Sequence, residues 1–452
     1  MCPDETQTLP RGGVAALAAD RRGPAGLSSA ERYRDALAEA RERTLSLVAP
    51  VTEEDMDRVH DPLMSPLVWD LGHIAAFEDL WLCRRAGGLA PLRPDLAEVY
   101  DAAETPRSGR GDIPYLRRDD ALEFMQEVRE RALGVLERVD MSAAGDRLNA
   151  DGFVWEMLVE HEHQHNETML QTLQLAEPGV FSPERRPIEV GPLPGPETVT
   201  IEAGPCTLGD PGEGFAYDNE RPRHGRELPA FEIDRAPVTN GRYLRFVEEG
   251  GYARRELWSA AGWTWRERER IERPLYWSAD GRERRFDQLA AIDPHMPVMH
   301  VSCHEAEAFA RWSGRRLPTE AEWEKAAAWD ADDRCARRYP WGEEPPTTAR
   351  ANLDQLAFGP VHVGALDGAT PGGVVSLIGD CWEWTASELA GYPGFAPFPY
   401  REYSEVFFGE GLRVLRGAAW ATRPSIARNT FRNWDLPERR QIFVGFRCAA
   451  DA

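Results

Sequence analysis

The stretch Phe153 to Leu175, FVWEMLVEHEHQHNETMLQTLQL, decides how this chain is read. Its apolar residues recur at helical spacing, and neither Pro nor Gly follows Gly152, so it predicts one continuous α-helix of about six turns. His161 and His165 lie four residues apart and project from one face, a common way of presenting two imidazoles to one metal ion. His163, between them, points elsewhere and has no place in that site. Glu162 is not read as the base of a metalloprotease. Two ligands do not close a metal site, so a third must come from another element.

Working outward, Ser28 and Glu31 form a capping box ahead of an apolar stripe of Tyr33, Leu37, Ala40, Leu47 and Val48 that ends near Pro50. A second helical pattern runs from about Ser65 to Arg85 and holds His73 among Trp69, Phe77 and Leu80. A histidine in that setting is either a core residue satisfied by a carbonyl or the missing ligand. A third helix is marked by Leu122, Met125, Val128, Ala132, Val135 and Val139, with Asp119 and Asp120 favouring its start. Four helices with one apolar face each make a bundle, and bundles place metal sites between facing helices. The polar loop Tyr100 to Leu116 carries Arg107 and Arg110, either solvated surface or, beside a metal cleft, a clamp for carboxylates.

After Leu175 the composition changes. Residues 177–197 are dense in Pro and Gly and read as a linker. Residues 198–452 are rich in Trp, Gly and short β-like runs, with short helices expected at HEAEAFARWSG and, capped by Thr319, at TEAEWEKAAAW. The fold class is therefore α+β and multidomain: a disordered start over 1–27, a four-helix bundle over 28–176, the linker, and an irregular α+β domain to the end. A length of 452 residues is too great for one ordinary core. The net charge of -23 argues against nucleic acid or an anionic membrane as partner. No run approaches 18 apolar residues and no signal-peptide pattern opens the chain, so a cytoplasmic protein is expected. The seven cysteines are scattered without a CxxC pair, which fits reduced thiols and leaves nitrogen and oxygen to hold any metal.

The phrases PVTNGRYLRF, RLPTEAEWEKAA, YPWG, GDCWEWT, RVLRGAAW and GFRCA, in that order, resemble the formylglycine-generating-enzyme-like fold with its C-type-lectin-like core. PLMSPLVWDLGHI and HEHQHNETML resemble the DinB-like four-helix bundle that precedes this fold in the non-haem iron sulfoxide synthases of ergothioneine biosynthesis. FRNWDLPERRQIF looks like that family in particular, and the resemblance covers nearly the whole chain after residue 28.

The resemblance implies Fe(II) held by His73, His161 and His165, with O2 as co-substrate. Three imidazoles on one face of an octahedral ion leave room for two substrates and dioxygen. The substrates it implies are hercynine and gamma-glutamylcysteine, joined to give hercynyl-gamma-glutamylcysteine sulfoxide. The family's catalytic tyrosine falls on Tyr400, whose phenol can donate a proton or hydrogen. Tyr403 matches a second pocket tyrosine. Arg107 and Arg110 match the arginines that hold the thiol peptide's carboxylates, and Asp435 and Arg439 its other contacts. Asn433, Trp434 and Gln164 match the hercynine side. Without the family, the two tyrosines and Trp434 read as aromatic packing and the arginines as surface ion pairs.

The chain departs from the pattern in places. GAAWATRPSIARNTFRNWD has no cysteine, so the copper-binding thiols of formylglycine-generating enzymes are missing and sulfatase activation is not expected. Cys381 stands where relatives carry an apolar residue, HEHQH carries an extra imidazole, and GAAW replaces GGSW. Alternatives are a selenoneine synthase that uses a selenosugar, a cysteine-using sulfoxide synthase, a zinc thiol-transferase on the same histidines, and a non-catalytic lectin-like binding module. A monomer is expected.

Overall fold

The computed structural model describes residues 28–452 apart from 143–145, 213 and 333. The expected disorder over 1–27 lies outside the described residues. Helix α1 (Ser29–Val48) opens on a capping box in which Ser28 Oγ accepts from Glu31 N and Glu31 Oε2 accepts from Ser28 N at 2.8 Å. A short helix α2 (Glu53–Asp57) follows. Helix α3 (Leu67–Glu78) runs on into a π-helical stretch, Asp79–Ala86, so the single helix expected over Ser65 to Arg85 widens half-way. Such widenings recur at functional sites, and here the stretch carries Trp81.

Helix α4 (Arg118–Leu136) starts with Asp119 and Asp120 in its first turn, where carboxylates oppose the helix dipole. Helix α5 (Phe153–Leu175) has the bounds its sequence predicts. It is entered through Gly152 at φ +75°, where a Cβ would lie 2.2 Å from the ring of Tyr33. Only glycine fits both that backbone and that contact. Helices α1, α3, α4 and α5 pack around a core that includes Trp69, Trp155, Leu71, Val128 and Leu170.

Residues 177–197 form no helix or strand, yet they are held down: Phe181 is buried against Phe286 and Phe358, and Val190 and Gly191 donate to His362 Nδ1. Beyond them, Thr198–Ile201, Phe231–Asp234 and Ala449–Asp451 make an antiparallel three-stranded sheet in which Phe231–Asp234 is central and pairs with both the first strand and the last. A four-stranded sheet follows the order Asn433–Asp435, Arg413–Gly417, Trp382–Glu388, Val444–Gly445, its last pair parallel. Both expected helices are present, α8 (Cys303–Trp312) and α9 (Glu320–Ala328, capped by Thr319). Two more, α6 (Asn240–Glu248) and α7 (Ala260–Glu269), were not anticipated.

The sequence phrases of this half are largely its ion-pair skeleton. Glu320 and Glu324 on α9 hold Arg416 of RVLRGAAW, and Glu320 also holds Arg432. Glu383 of GDCWEWT holds Arg447 of GFRCA at 2.7 Å with both side chains fully buried. Buried guanidinium groups need such partners, because removing one leaves an uncompensated charge.

Candidate metal centre and substrate cleft

His73, His161 and His165 bring one ring nitrogen each within 4.8 Å of one another, the only such cluster among the described residues. His165 meets Asp70 and His161 meets Phe77, so α3 and α5 run antiparallel with the three rings between them. His73 Nδ1 donates to the Tyr100 carbonyl at 2.7 Å, and His165 Nδ1 donates to Asp70 Oδ1 at 3.2 Å. Bonds of that kind fix the tautomer and leave Nε2 as the lone-pair nitrogen. His161 lies flat on Phe77, centroids 3.9 Å apart, and its Nδ1 is buried without a partner. Burial, reinforced by the neighbouring His165, holds His73 and His161 well below the usual imidazole range. They are neutral at physiological pH, as metal ligands must be. Three neutral imidazoles suit a divalent transition metal and not calcium or magnesium, which take oxygen.

Tyr400 comes from the distant loop 398–408, and its ring centroid lies 5.1 Å from that of Trp81 and 6.1 Å from that of Phe77. One aromatic ring, Phe77, separates it from His161. Burial raises the phenol above its ordinary range, with Asp218 and Glu402 adding to the effect, so the hydroxyl keeps its proton. Tyr403 meets Trp434 edge-on at 5.6 Å and stacks on Tyr217 at 4.1 Å. Tyr217 Oη in turn accepts from Gln164 Nε2 at 2.8 Å. Asn433 Oδ1 accepts from the Trp434 amide.

Arg107 and Arg110 differ. Arg107 is exposed at the start of the 3-10 turn Arg107–Asp112. Arg110 is buried, lies over the Trp69 ring at 3.7 Å, and donates to Thr105 O and to Ser65 Oγ. Burial pulls it down to about 10, against the opposing charge of Asp70 and with help from Arg107. Both arginines act electrostatically on His73, and Arg107 also acts on Asp435. Burial raises the Asp435 carboxyl, while Arg439, whose Nε is 3.5 Å from Asp435 Oδ1, lowers it in part. Arg439 Nε and Nη1 are buried without hydrogen bonds. Tyr400, Tyr403 and Trp434 of the sheet half thus make a run of ring contacts that reaches Phe77 and Trp81 of the bundle, and Tyr217 reaches Gln164 on α5.

Other residues were missed. His161-Glu162-His163-Gln164-His165 does satisfy H-E-x-x-H, which the sequence reading set aside. Glu162 is nevertheless no base at the metal, because it points into the bundle and accepts from Arg41, Arg129 and Thr44. Glu78 shares both arginines. His163 faces the seam between the two halves, 3.5 Å from Glu39, which also pairs with Arg423. Asp354 joins Arg43 and Arg423 in the same cluster. A third face of α5 grips the sheet half: Glu160 meets Arg428, Glu167 accepts from Trp382 Nε1 and Thr422 Oγ1, and Gln174 bonds Phe286 N and Arg284 O. At about 100° per residue, these faces are what one helix must present. Asp70, one turn before His73 in WDLGHI, carried a readable signal as a carboxylate in an apolar helix.

The sulfatase-modifying factor enzyme 1-like domain family matches residues 185–452, and the DinB superfamily matches residues 36–169. A hercynine oxygenase of Mycolicibacterium thermoresistibile is 46% identical over 430 residues, covering 92% of this chain and 94% of its own. The chain belongs to the hercynine oxygenase family. A second hercynine oxygenase, from Mycobacterium tuberculosis, is 44% identical over 441 residues, covering 94% and 100%. A formylglycine-generating enzyme of Streptomyces coelicolor is 33% identical over 313 residues, covering 58% of this chain. As a hercynine oxygenase family member the protein is an oxidoreductase with an α+β, bundle-then-sheet architecture. Among the described residues no helix is long and apolar enough to cross a membrane.

Proposed function

We propose that this oxidoreductase uses Fe(II) and O2 to join hercynine to gamma-glutamylcysteine, giving hercynyl-gamma-glutamylcysteine sulfoxide. Atoms and electrons balance. A ring C–H and the thiol S–H are lost, a C–S bond forms, one oxygen atom enters the sulfoxide and the other leaves as water. The observation that carries the reading is the tri-histidine cluster with a protonated phenol one ring away. His73, His161 and His165 hold the ion. Fe(II) bound there supplies electrons and open coordination positions for O2 activation.

The remaining residues act on the substrates. Arg107 and Arg110 receive the carboxylates of the thiol peptide, with Arg439 and Asp435 at its amino-acid end; Arg439 Nη1 is a buried donor without a hydrogen bond to the protein. Gln164, Asn433 and Trp434 orient hercynine, and Tyr403 walls the same side. Tyr400 gives its proton from the phenol oxygen at the reacting face, which favours C–S coupling over oxidation of the thiol alone.

The test is anaerobic loading with Fe(II) followed by O2 uptake with hercynine and each of three donors: gamma-glutamylcysteine, cysteine and a selenosugar. Mass spectrometry should find the sulfoxide conjugate with the dipeptide as preferred donor. Preference for the selenosugar or cysteine would reassign the donor. Zinc-dependent thiol transfer without O2 would overturn the reading.

A further inference from the structure

The Tyr400 hydroxyl forms no hydrogen bond to any described residue, and its ring packs against those of Trp81, Phe77 and Tyr403. Ring contacts alone let a side chain slide, whereas proton delivery requires the donor within hydrogen-bond reach of its target. The loop that carries Tyr400 is instead fastened by one buried carboxylate. Asp218 Oδ1 accepts from Ser404 Oγ at 2.6 Å, and Asp218 Oδ2 accepts from the Phe398 amide at 3.3 Å. Tyr400 lies between these two anchors in the chain.

The carboxylate is itself fixed. It opens the turn Asp218–Glu220, in which Glu220 Oε1 accepts from the Tyr217 amide at 2.9 Å, and Glu220 is paired with the buried Arg428. The residue before it reaches the other way. Tyr217 lies parallel to Tyr403, one ring from Tyr400, and its hydroxyl takes the amide of Gln164, the neighbour of His165 on α5. Two consecutive residues therefore connect the helix of the tri-histidine cluster to the loop of the phenol.

We infer that Tyr217 and Asp218 are positioning residues that set the distance and direction of the Tyr400 phenol from the tri-histidine cluster, with Asp218 as the anchor. The inference rests on the reading of Tyr400 as proton donor. The negative charge of Asp218 serves the same end, since it opposes ionisation of the phenol. Neither residue touches the reacting atoms; each acts through the loop.

The experiment uses the full-length, Fe(II)-loaded enzyme and its Asp218→Asn, Ser404→Ala and Tyr400→Phe variants. Two quantities are measured: hydrogen exchange of the peptide spanning 398–404, and the ratio of sulfoxide conjugate to oxidised thiol. Asp218→Asn should speed exchange there and lower the product ratio by roughly tenfold, since displacements of about 1 Å cost factors of that order or more. Ser404→Ala, the milder change should Asp218→Asn fold poorly, should move both in the same direction. Iron stoichiometry should not change.

Unchanged exchange in Asp218→Asn and Ser404→Ala would overturn the anchor. So would a loosened loop with an unchanged product ratio while Tyr400→Phe shifts it. If Tyr400→Phe leaves the products unchanged, the proton-donor reading falls, and with it the catalytic purpose assigned to this fastening.

Discussion

Asp70 Oδ1 accepts the Nδ1 hydrogen of His165 at 3.2 Å, while its Oδ2 is buried without any partner. This carboxylate orients one imidazole and has few other obligations. Asp70→Asn should therefore weaken Fe(II) binding by about 10- to 100-fold, the range for loss of a partner behind a ligating histidine. Anaerobic Fe(II) titration measures it, and wild-type affinity in the variant would remove Asp70 from the site.

Glu162 offers the opposite case, a residue inside the metal motif whose task is structural. Glu162→Leu leaves Arg41 and Arg129 to share Glu78, and a buried cation short of its partner costs about 3–5 kcal/mol. Urea unfolding should show that loss, with one iron still bound per folded chain. A metalloprotease-like role would instead abolish activity without loss of stability.

Arg107 and Arg110 should separate under mutation. Arg107→Ala should raise the KM for the thiol peptide by about tenfold, in line with a lost charge-assisted contact, and leave the KM for hercynine unchanged. Arg110→Ala should do the same and also lower Tm, because Ser65, Thr105 and Trp69 lose their partner. Equal effects of both variants on both substrates would count against the clamp.

His300 makes the pH dependence of stability testable. It is buried at φ +60° and donates from Nδ1 to the Arg440 carbonyl; burial pulls its imidazole down to about 3. The unfolded chain binds that proton near pH 6.5, so the contribution is complete above 6.5 and is lost as pH falls from there toward 3. His300→Asn keeps a donor and tolerates the positive φ. Its unfolding free energy should fall less steeply than the wild type's between pH 6.5 and 4, and parallel curves would contradict the assignment.

What could be read from the residues depended on how far apart the interacting partners lie in the chain. The helix Phe153–Leu175 was readable to its ends because periodicity, Gly152 and Pro178 are all local signals. The capping box at Ser28 and the cap at Thr319 were readable for the same reason. Helix α6 was missed inside the phrase PVTNGRYLRF, although Thr239 caps it and Tyr243 and Phe246 are buried one turn apart. Periodicity indicated that His163 leaves the metal face, but its partners Glu39 and Arg423 lie on other elements, so no role followed. Asp218 gave no sign, since its partners stand 180 and 186 residues downstream. Arg110 looked like loop surface because Trp69, which it covers, is far back in the chain.

The three occupied faces of α5 make its length unforgiving. A one-residue insertion between Glu160 and His165 would rotate everything beyond it by about 100° and advance it about 1.5 Å. His165 would swing away from Asp70, and Glu167 and Gln174 would lose Trp382 and Phe286 in the same event. Insertions and deletions that surface loops absorb should therefore be barred from this segment, where the spacing of side chains matters as much as their identity.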